Sequence, residues 1–389
     1  MKIALDIRRI QDYGAGTYTR NLVQQLAQLD RTHRYWLIGT PADRAELGPL
    51  PENFALLEYE QPDGRFRPPW RLGWRLKQQK VDLCHIPYLT APWWLPCPYV
   101  LTVHDIADFL IPVEERSSVE ASWRFYRVAR ALAGAKRVLC VSRTTERDVR
   151  RVFGVPASKT EVIYNALDAR LTGSLDPEEI ERTLTRHQAN APFLLYAGNV
   201  KTHKNLSRLI EAFALVKDLW RTHPRYRELR LFIIGDELTR HSDLRRTVVK
   251  SRTQADVRFL GFVPPQTLKA FYTRAEVFVF PSLYEGFGLP PLEAMAHGTP
   301  VVASNVSALP EVVGDAALLV NPENVFDISR AIRQVLLDGE LRAQLVERGY
   351  KQVQRFSWEE SVRRVLQVYK EVLAPASTVS TRNSPTFPS

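Results

Sequence analysis

Short apolar runs alternate with segments of helical period along nearly the whole chain. "KIALDI", "RYWLIG", "VDLCHI", "PYVLTV" and "RVLCV" are rich in Val, Ile, Leu and Tyr and have strand length. Between them, Thr17–Leu29, Ser118–Leu132 and Thr144–Val152 carry the spacing of amphipathic helices. The strand signal lapses in the charged stretch "RLTGSLDPEEIERTLTRHQANA" and then restarts as "FLLYAG", "LRLFIIG", "VRFLGF", "EVFVF", "TPVVAS" and "AALLV". Strands separated by helices predict parallel sheets covered on both faces. The chain therefore reads as α/β, with two tandem Rossmann-like, doubly wound domains. Residues 1–170 form the first, 171–191 a linker and 192–356 the second. "SWEESVRRVLQVYKEVL" predicts a further amphipathic helix over 357–374, and the Ser-, Thr- and Pro-rich tail 375–389 is expected to be disordered.

Two such sheets bind ligands at the carboxyl ends of their strands, so a pair facing each other predicts a deep cleft. At 389 residues, the length suits two domains. The 45% apolar and 25% charged composition is that of a globular protein. No run reaches the roughly 18 apolar residues of a membrane span, and "MKIALDIRRI" has no signal-peptide pattern. Cys84, Cys97 and Cys140 are too scattered for a disulfide framework or a zinc site and fit a reducing, cytoplasmic setting.

The formal net charge of +10 is unevenly spread. Gly64 to Lys80, "GRFRPPWRLGWRLKQQK", carries six basic residues, two tryptophans and no acid. A helix packing its tryptophans on the sheet is one reading. Peripheral contact with an anionic membrane, on the inner face of the cytoplasmic membrane, is the sharper one, with "APWWLPCP" as a second apolar contact or a cleft wall. A nucleic-acid partner would leave the acids described next without a role.

"FPSLYEGFGLPPLEAMAHGTPVVAS" places Glu285 and Glu293 around a Gly-Phe-Gly turn. Gly286 and Gly288 allow close approach of a ligand to the main chain. Pro290 and Pro291 suit the first turn of a helix. A strand, a glycine turn and a helix N-terminus in sequence make an anion site. Carboxylates on either side suit a ligand with hydroxyls flanking a diphosphate, the layout of a nucleotide-sugar. No Asp-x-Asp pair or His/Cys/Asp cluster has metal spacing.

"YEGFGLPPLEAMAHGTPVVAS" closely resembles the signature of retaining GT-B glycosyltransferases of family four. The likeness extends through "YGAGTYTRNLVQQL", "VLTVHDIADF", "VLCVSRTTERDVRRVFGV", "FLLYAGNVKTHKNLSRLIEAF" and "LPEVVGDAALLVNP". It implies a GT-B fold with the C-terminal helix crossing back to the first domain. It implies a hexosyltransferase using a nucleotide-diphosphate-sugar, with no cofactor or metal, and a saccharide or lipid-linked saccharide acceptor. Glu293 would hold the donor ribose, Glu285 the transferred sugar, and Lys204 the diphosphate. The main chain at Gly286, Phe287, Gly288 and Leu289 would meet the diphosphate and sugar.

Other positions follow from the same resemblance. His104 would lie at the transferred sugar and donate a hydrogen bond to it, with Asp105 beside it. Gly14 and Gly16 would form an acceptor or phosphate loop. Asn199 stands where many members have arginine, leaving Lys201 or His203 to supply a second positive charge. "VIYNALD" replaces a common Pro-Asn-Gly, so Asn165 is not counted in the site. The "GN…HKN" loop is similar to that of bacterial polysaccharide mannosyltransferases and points to GDP-mannose. Alternatives are a nucleotide-sugar epimerase of similar two-domain fold, or a basic nucleic-acid-binding protein.

Overall fold

A computed structural model describes residues 1–12, 14–59, 70–111, 118–235 and 241–374. Tyr13 of the first glycine loop, residues 64–69 of the basic segment and the tail 375–389 lie outside the described residues. The first sheet contains β1 (Lys2–Asp6), β2 (Arg34–Gly39), β3 (Phe54–Glu58), β4 (Leu83–Ile86), β5 (Tyr99–Val103), β6 (Arg137–Cys140) and β7 (Thr160–Val162) in the order 3-2-1-4-5-6-7. The second contains β8 (Phe193–Ala197), β9 (Arg230–Ile234), β10 (Val257–Gly261), β11 (Val277–Phe280), β12 (Val301–Ser304) and β13 (Ala317–Val320) in the order 10-9-8-11-12-13. Every strand pairing is parallel. This is the doubly wound architecture expected in each half, with the winding order of the strands reversing between β1 and β4 and between β8 and β11.

Burial of both faces at the centre of each sheet explains why the central strands read as continuous apolar runs. β5, β8 and β11 are buried at every position. Two strands go beyond the sequence expectation. β3, "FALLE", mixes buried, half-buried and exposed positions at the sheet edge, and β7, "TEV", is three half-buried residues at the other edge.

Residues 171–191 include the helix Pro177–Arg186, capped by the Asp176 side chain. Its Ile180 and Leu184, one turn apart, enter the core of the second sheet beside Phe193 and Phe271. The helix Trp358–Leu373 returns to the first domain. There Trp358, Val362, Val365, Val368 and Tyr369 join Ile3, Tyr18, Leu22 and Leu26 in one core. Burying each large apolar side chain contributes about 2 kcal/mol, so the crossing helix belongs structurally to the domain it rejoins.

The helix Arg71–Gln78 turns Leu72 and Leu76 inward and leaves Trp70 and Trp74 more than half exposed. These tryptophans are not packed on the sheet. Among the described residues, no helix is long and apolar enough to cross a membrane.

Candidate active site

The loops leaving the carboxyl ends of both sheets enclose one cavity of about 710 Å³. Both switch points open onto it. From the second domain, the loop after β8 brings Gly198, Asn199, Lys201 and Lys204, and the loop after β11 brings Glu285 through Leu289. Glu293 follows on the helix Leu289–Ala296. From the first domain come Gly14, His104 and Asp105.

The glycine turn is built as its composition demands. Gly288, at φ 109°, precedes the helix and occupies backbone space that a side chain would strain. A Cβ on Gly286 would lie 1.7 Å from the carbonyl oxygen of His104, so only glycine lets the two domains meet here. The Gly286 carbonyl accepts hydrogen bonds from Ser142 Oγ at 2.6 Å and Thr145 Oγ1 at 3.0 Å, both at the start of the first-domain helix Arg143–Phe153. Glu311 completes the junction by accepting from the Arg143 amide at 3.0 Å and the Tyr164 hydroxyl at 2.7 Å. The turn is thus held from the opposite domain.

Lys204 ends a short 3-10 turn, Thr202–Lys204, before the helix Leu206–Leu219. Its Nζ lies 2.6 Å from Glu285 Oε1, and the two side chains are 12% and 10% exposed. A cation at this helix start opposes the dipole, and Glu285 supplies the compensating charge. Glu293 accepts a 2.8 Å hydrogen bond from the Tyr272 hydroxyl. Burial raises its pKa to about 7, against the opposing pull of that hydrogen bond.

His104 sits against the Tyr18 ring edge, with centroids 4.9 Å apart. Its Nε2 lies 3.0 Å from the Pro87 carbonyl. A carbonyl only accepts, so Nε2 carries the proton and the neutral ring offers Nδ1 as an acceptor. Burial pushes the imidazolium pKa down to about 4, which keeps the ring neutral. The geometry therefore equips His104 to receive a hydrogen bond, where the sequence reading has it donating one. Asp105 Oδ1 accepts from the Ala107 amide at 3.0 Å and so orders its own loop.

Two anticipated residues are placed differently from the others. Gly16 is buried, and a Cβ there would lie 2.2 Å from the Ile10 carbonyl oxygen, which makes it a packing glycine behind the loop. His203 contributes its carbonyl to the Leu283 amide at 2.7 Å, and its side chain does not line the cavity.

The first domain also supplies residues that sequence reasoning missed. Asn165 lines the cavity, is 4% exposed, and its Oδ1 has no hydrogen-bond partner. The backbone from Tyr164 to Ala166 avoids the left-handed region, so the absence of glycine there is tolerated. Arg20, Asp168 and Arg170 line the end near Glu293, with Arg170 Nη2 2.6 Å from Asp168 Oδ2. Arg20 and Asp168 are buried while Arg170 is exposed, and no local sequence pattern marks any of the three. Among the described residues, no group of three or more His, Cys, Asp or Glu side chains is arranged to hold a metal ion.

A cleft between two Rossmann-like domains, with a cation and two carboxylates around a helix N-terminus, defines a group-transfer site of the GT-B type. Residues 13–171 match the model for Glycosyltransferase Family 4, and residues 178–352 that for Glycosyl transferases group 1. The chain is 35% identical over 308 residues to the O-antigen chain mannosyltransferase B of Escherichia coli, covering 78% of this chain and 77% of that one. It is 28% identical over 292 residues to the serotype-specific mannosyltransferase WbdA of Escherichia coli, spanning 74% of this chain and only 35% of that protein's length. The fold matches Anabaena HepE in complex with UDP-glucose at a TM-score of 0.73 and 19% identity, over 95% of this chain and 100% of that one. The chain belongs to the group 1, family four glycosyltransferases and is a glycosyltransferase.

Proposed function

We propose that the protein moves a hexose, with retention of configuration, from a nucleotide-diphosphate-sugar to a saccharide or lipid-linked saccharide in cell-surface polysaccharide or glycolipid synthesis. The observation that carries this is the convergence of Lys204, Glu285 and Glu293 on one helix N-terminus inside the interdomain cavity. GDP-mannose is the first donor to test, since the Escherichia coli relatives are mannosyltransferases. The neighbour bound to UDP-glucose supports a nucleotide-sugar donor.

In this reading the diphosphate lies between Lys204 and the amides following Gly286. Glu293 takes the ribose hydroxyls and Glu285 the sugar. The bond from the anomeric carbon to the diphosphate oxygen breaks as the acceptor oxygen attacks the same face. The leaving oxygen takes the acceptor's hydroxyl proton. Negative charge grows on the diphosphate in that step, where Lys204 stabilises it most. No metal is required in this scheme.

A panel of nucleotide-sugars tested for thermal stabilisation decides the donor. A true donor at 100 times its Kd adds about 2.7 kcal/mol of stability. Anomeric configuration of the product by NMR and an unchanged rate in EDTA test the remaining claims. A panel in which no nucleotide-sugar stabilises the chain would sink the proposal.

A further inference from the structure

Five of the eight tryptophans are exposed, and all five lie in the first domain: Trp70, Trp74, Trp93, Trp94 and Trp123. Trp93 and Trp123 form one surface with Tyr126. Trp93 meets Trp123 at 6.0 Å and Tyr126 at 6.3 Å, while Trp123 and Tyr126 stack at 5.7 Å. A Cβ on Gly73 would fall 2.4 Å from the Trp94 ring, so the helix carrying Trp74 lies directly on Trp94. Segments separate in sequence thus meet in one aromatic ridge. A contiguous patch of this kind marks an interaction surface.

The ridge is edged with cations. Arg71, Lys77 and Arg127 are exposed on its two helices. Arg130 lies 4.5 Å over the Trp93 ring and donates to the Ala91 carbonyl at 2.7 Å. Of the neighbouring acids, Asp108 is paired with Arg124, and Glu120 is exposed at the start of the helix Ser118–Gly134. Amphipathic rings beside cations match a headgroup layer whose lipids carry phosphate.

Topology relates the ridge to the cleft. The Trp93 loop follows the carboxyl end of β4, and the Trp123 helix begins on the carboxyl side of β5. The Trp93 loop returns to the start of β5 and β5 ends at His104 in the cavity, so the ridge and the cleft share the β4–β5 region of the first sheet.

We propose that this ridge docks the first domain on an anionic lipid bilayer, rings at headgroup depth and cations on lipid phosphates. The cleft mouth is thereby presented to an acceptor carried on a lipid. The second statement rests on the transfer reading above, whereas the docking itself does not.

The test uses the full chain and vesicles of phosphatidylcholine alone or mixed equally with phosphatidylglycerol. Binding is expected to the mixed vesicles at low salt, with a blue shift of tryptophan emission. The triple variant Trp93→Ser, Trp123→Ser, Tyr126→Ser should lose at least about tenfold in affinity and the blue shift. Its stabilisation by the nucleotide-sugar that stabilises the parent should be unchanged, which shows that it is folded. Arg71→Glu with Arg127→Glu should abolish the preference for anionic vesicles. Equal binding by parent and triple variant overturns the proposal, as does no binding by the parent. So does light scattering in which the ridge holds a dimer that the triple variant dissolves. Vesicle binding without stabilisation by any nucleotide-sugar would instead remove the transfer reading and leave the docking intact.

Discussion

Lys204 and Glu285 form a nearly buried ion pair across 2.6 Å, joining the loops on either side of the β8/β11 switch point. A diphosphate reaching this site competes with Glu285 for the same ammonium. Lys204→Ala should lower kcat at saturating donor by about 10²–10³-fold, the usual effect of deleting one charge stabiliser. Glu285→Gln should separate binding from turnover: free nucleoside diphosphate binds several-fold tighter while kcat falls. Calorimetry and initial rates measure the two. Unchanged kinetics for Lys204→Ala would remove its role.

Glu293 makes the ligand-free protein sensitive to pH. Its carboxyl has a folded pKa of about 7 against an ordinary 4.5. Below 4.5 both folded and unfolded chains hold the proton. Between 4.5 and 7 the unfolded chain releases it first, so stability falls as pH rises, by at most about 3 kcal/mol, and levels off above 7. Glu293→Gln should flatten the dependence in thermal melts taken from pH 4.5 to 8.

In the proposed donor pose the same ionisation governs binding, because the ribose hydroxyls need a carboxylate to accept them. Donor affinity should rise by about tenfold from pH 6 to pH 8. Tyr272→Phe removes the hydrogen bond that favours the ionised form, so the rise should move to higher pH. Titration calorimetry at several pH values reads both shifts. A profile that does not move would show that Tyr272 does not tune Glu293.

Burial keeps His104 neutral above a pKa of about 4. Its protonation therefore contributes nothing to a pH–rate profile between 5 and 8. His104→Ala should lower kcat while leaving the shape of the profile intact. A limb near pH 6.5 that vanishes in the variant would contradict this.

Gly286 sits under the His104 carbonyl with no room for a methyl group. Gly286→Ala should hold the domains apart and cost at least about 10²-fold in kcat/KM, since small misplacements of reacting groups have effects of that size. Small-angle scattering should show the variant more open than the parent. Ser142→Ala with Thr145→Val removes the two donors to Gly286 without adding bulk and should cost less.

The fold was legible because parallel strands buried on both faces write themselves as apolar runs. Exposed edges do not. "FALLE" mixes buried and half-exposed positions, and "TEV" is too short for any period to show. The helix inside the segment expected as linker carries only two buried residues, Ile180 and Leu184, among charges, although Asp176-Pro177 marks its start.

The second-domain half of the cavity was readable for a local reason: Glu285 to Glu293 is one continuous strand–turn–helix passage. Arg20, on the helix Ala15–Leu29, and the stretch after β7 that carries Asn165 and Arg170 are far apart in sequence, and folding brings them to the cavity. Nothing near Trp123 in sequence predicts that it will touch Trp93. The tautomer of His104 was equally hidden, since it is set by a carbonyl 17 residues earlier.

The helix Trp358–Leu373 has a mechanical consequence. Because the chain crosses back after completing the second domain, two covalent bridges join the halves, near residues 171 and 357. Free separation is forbidden and sliding is restricted, leaving a rocking motion about an axis through the bridges as the easy route to admit and release substrates.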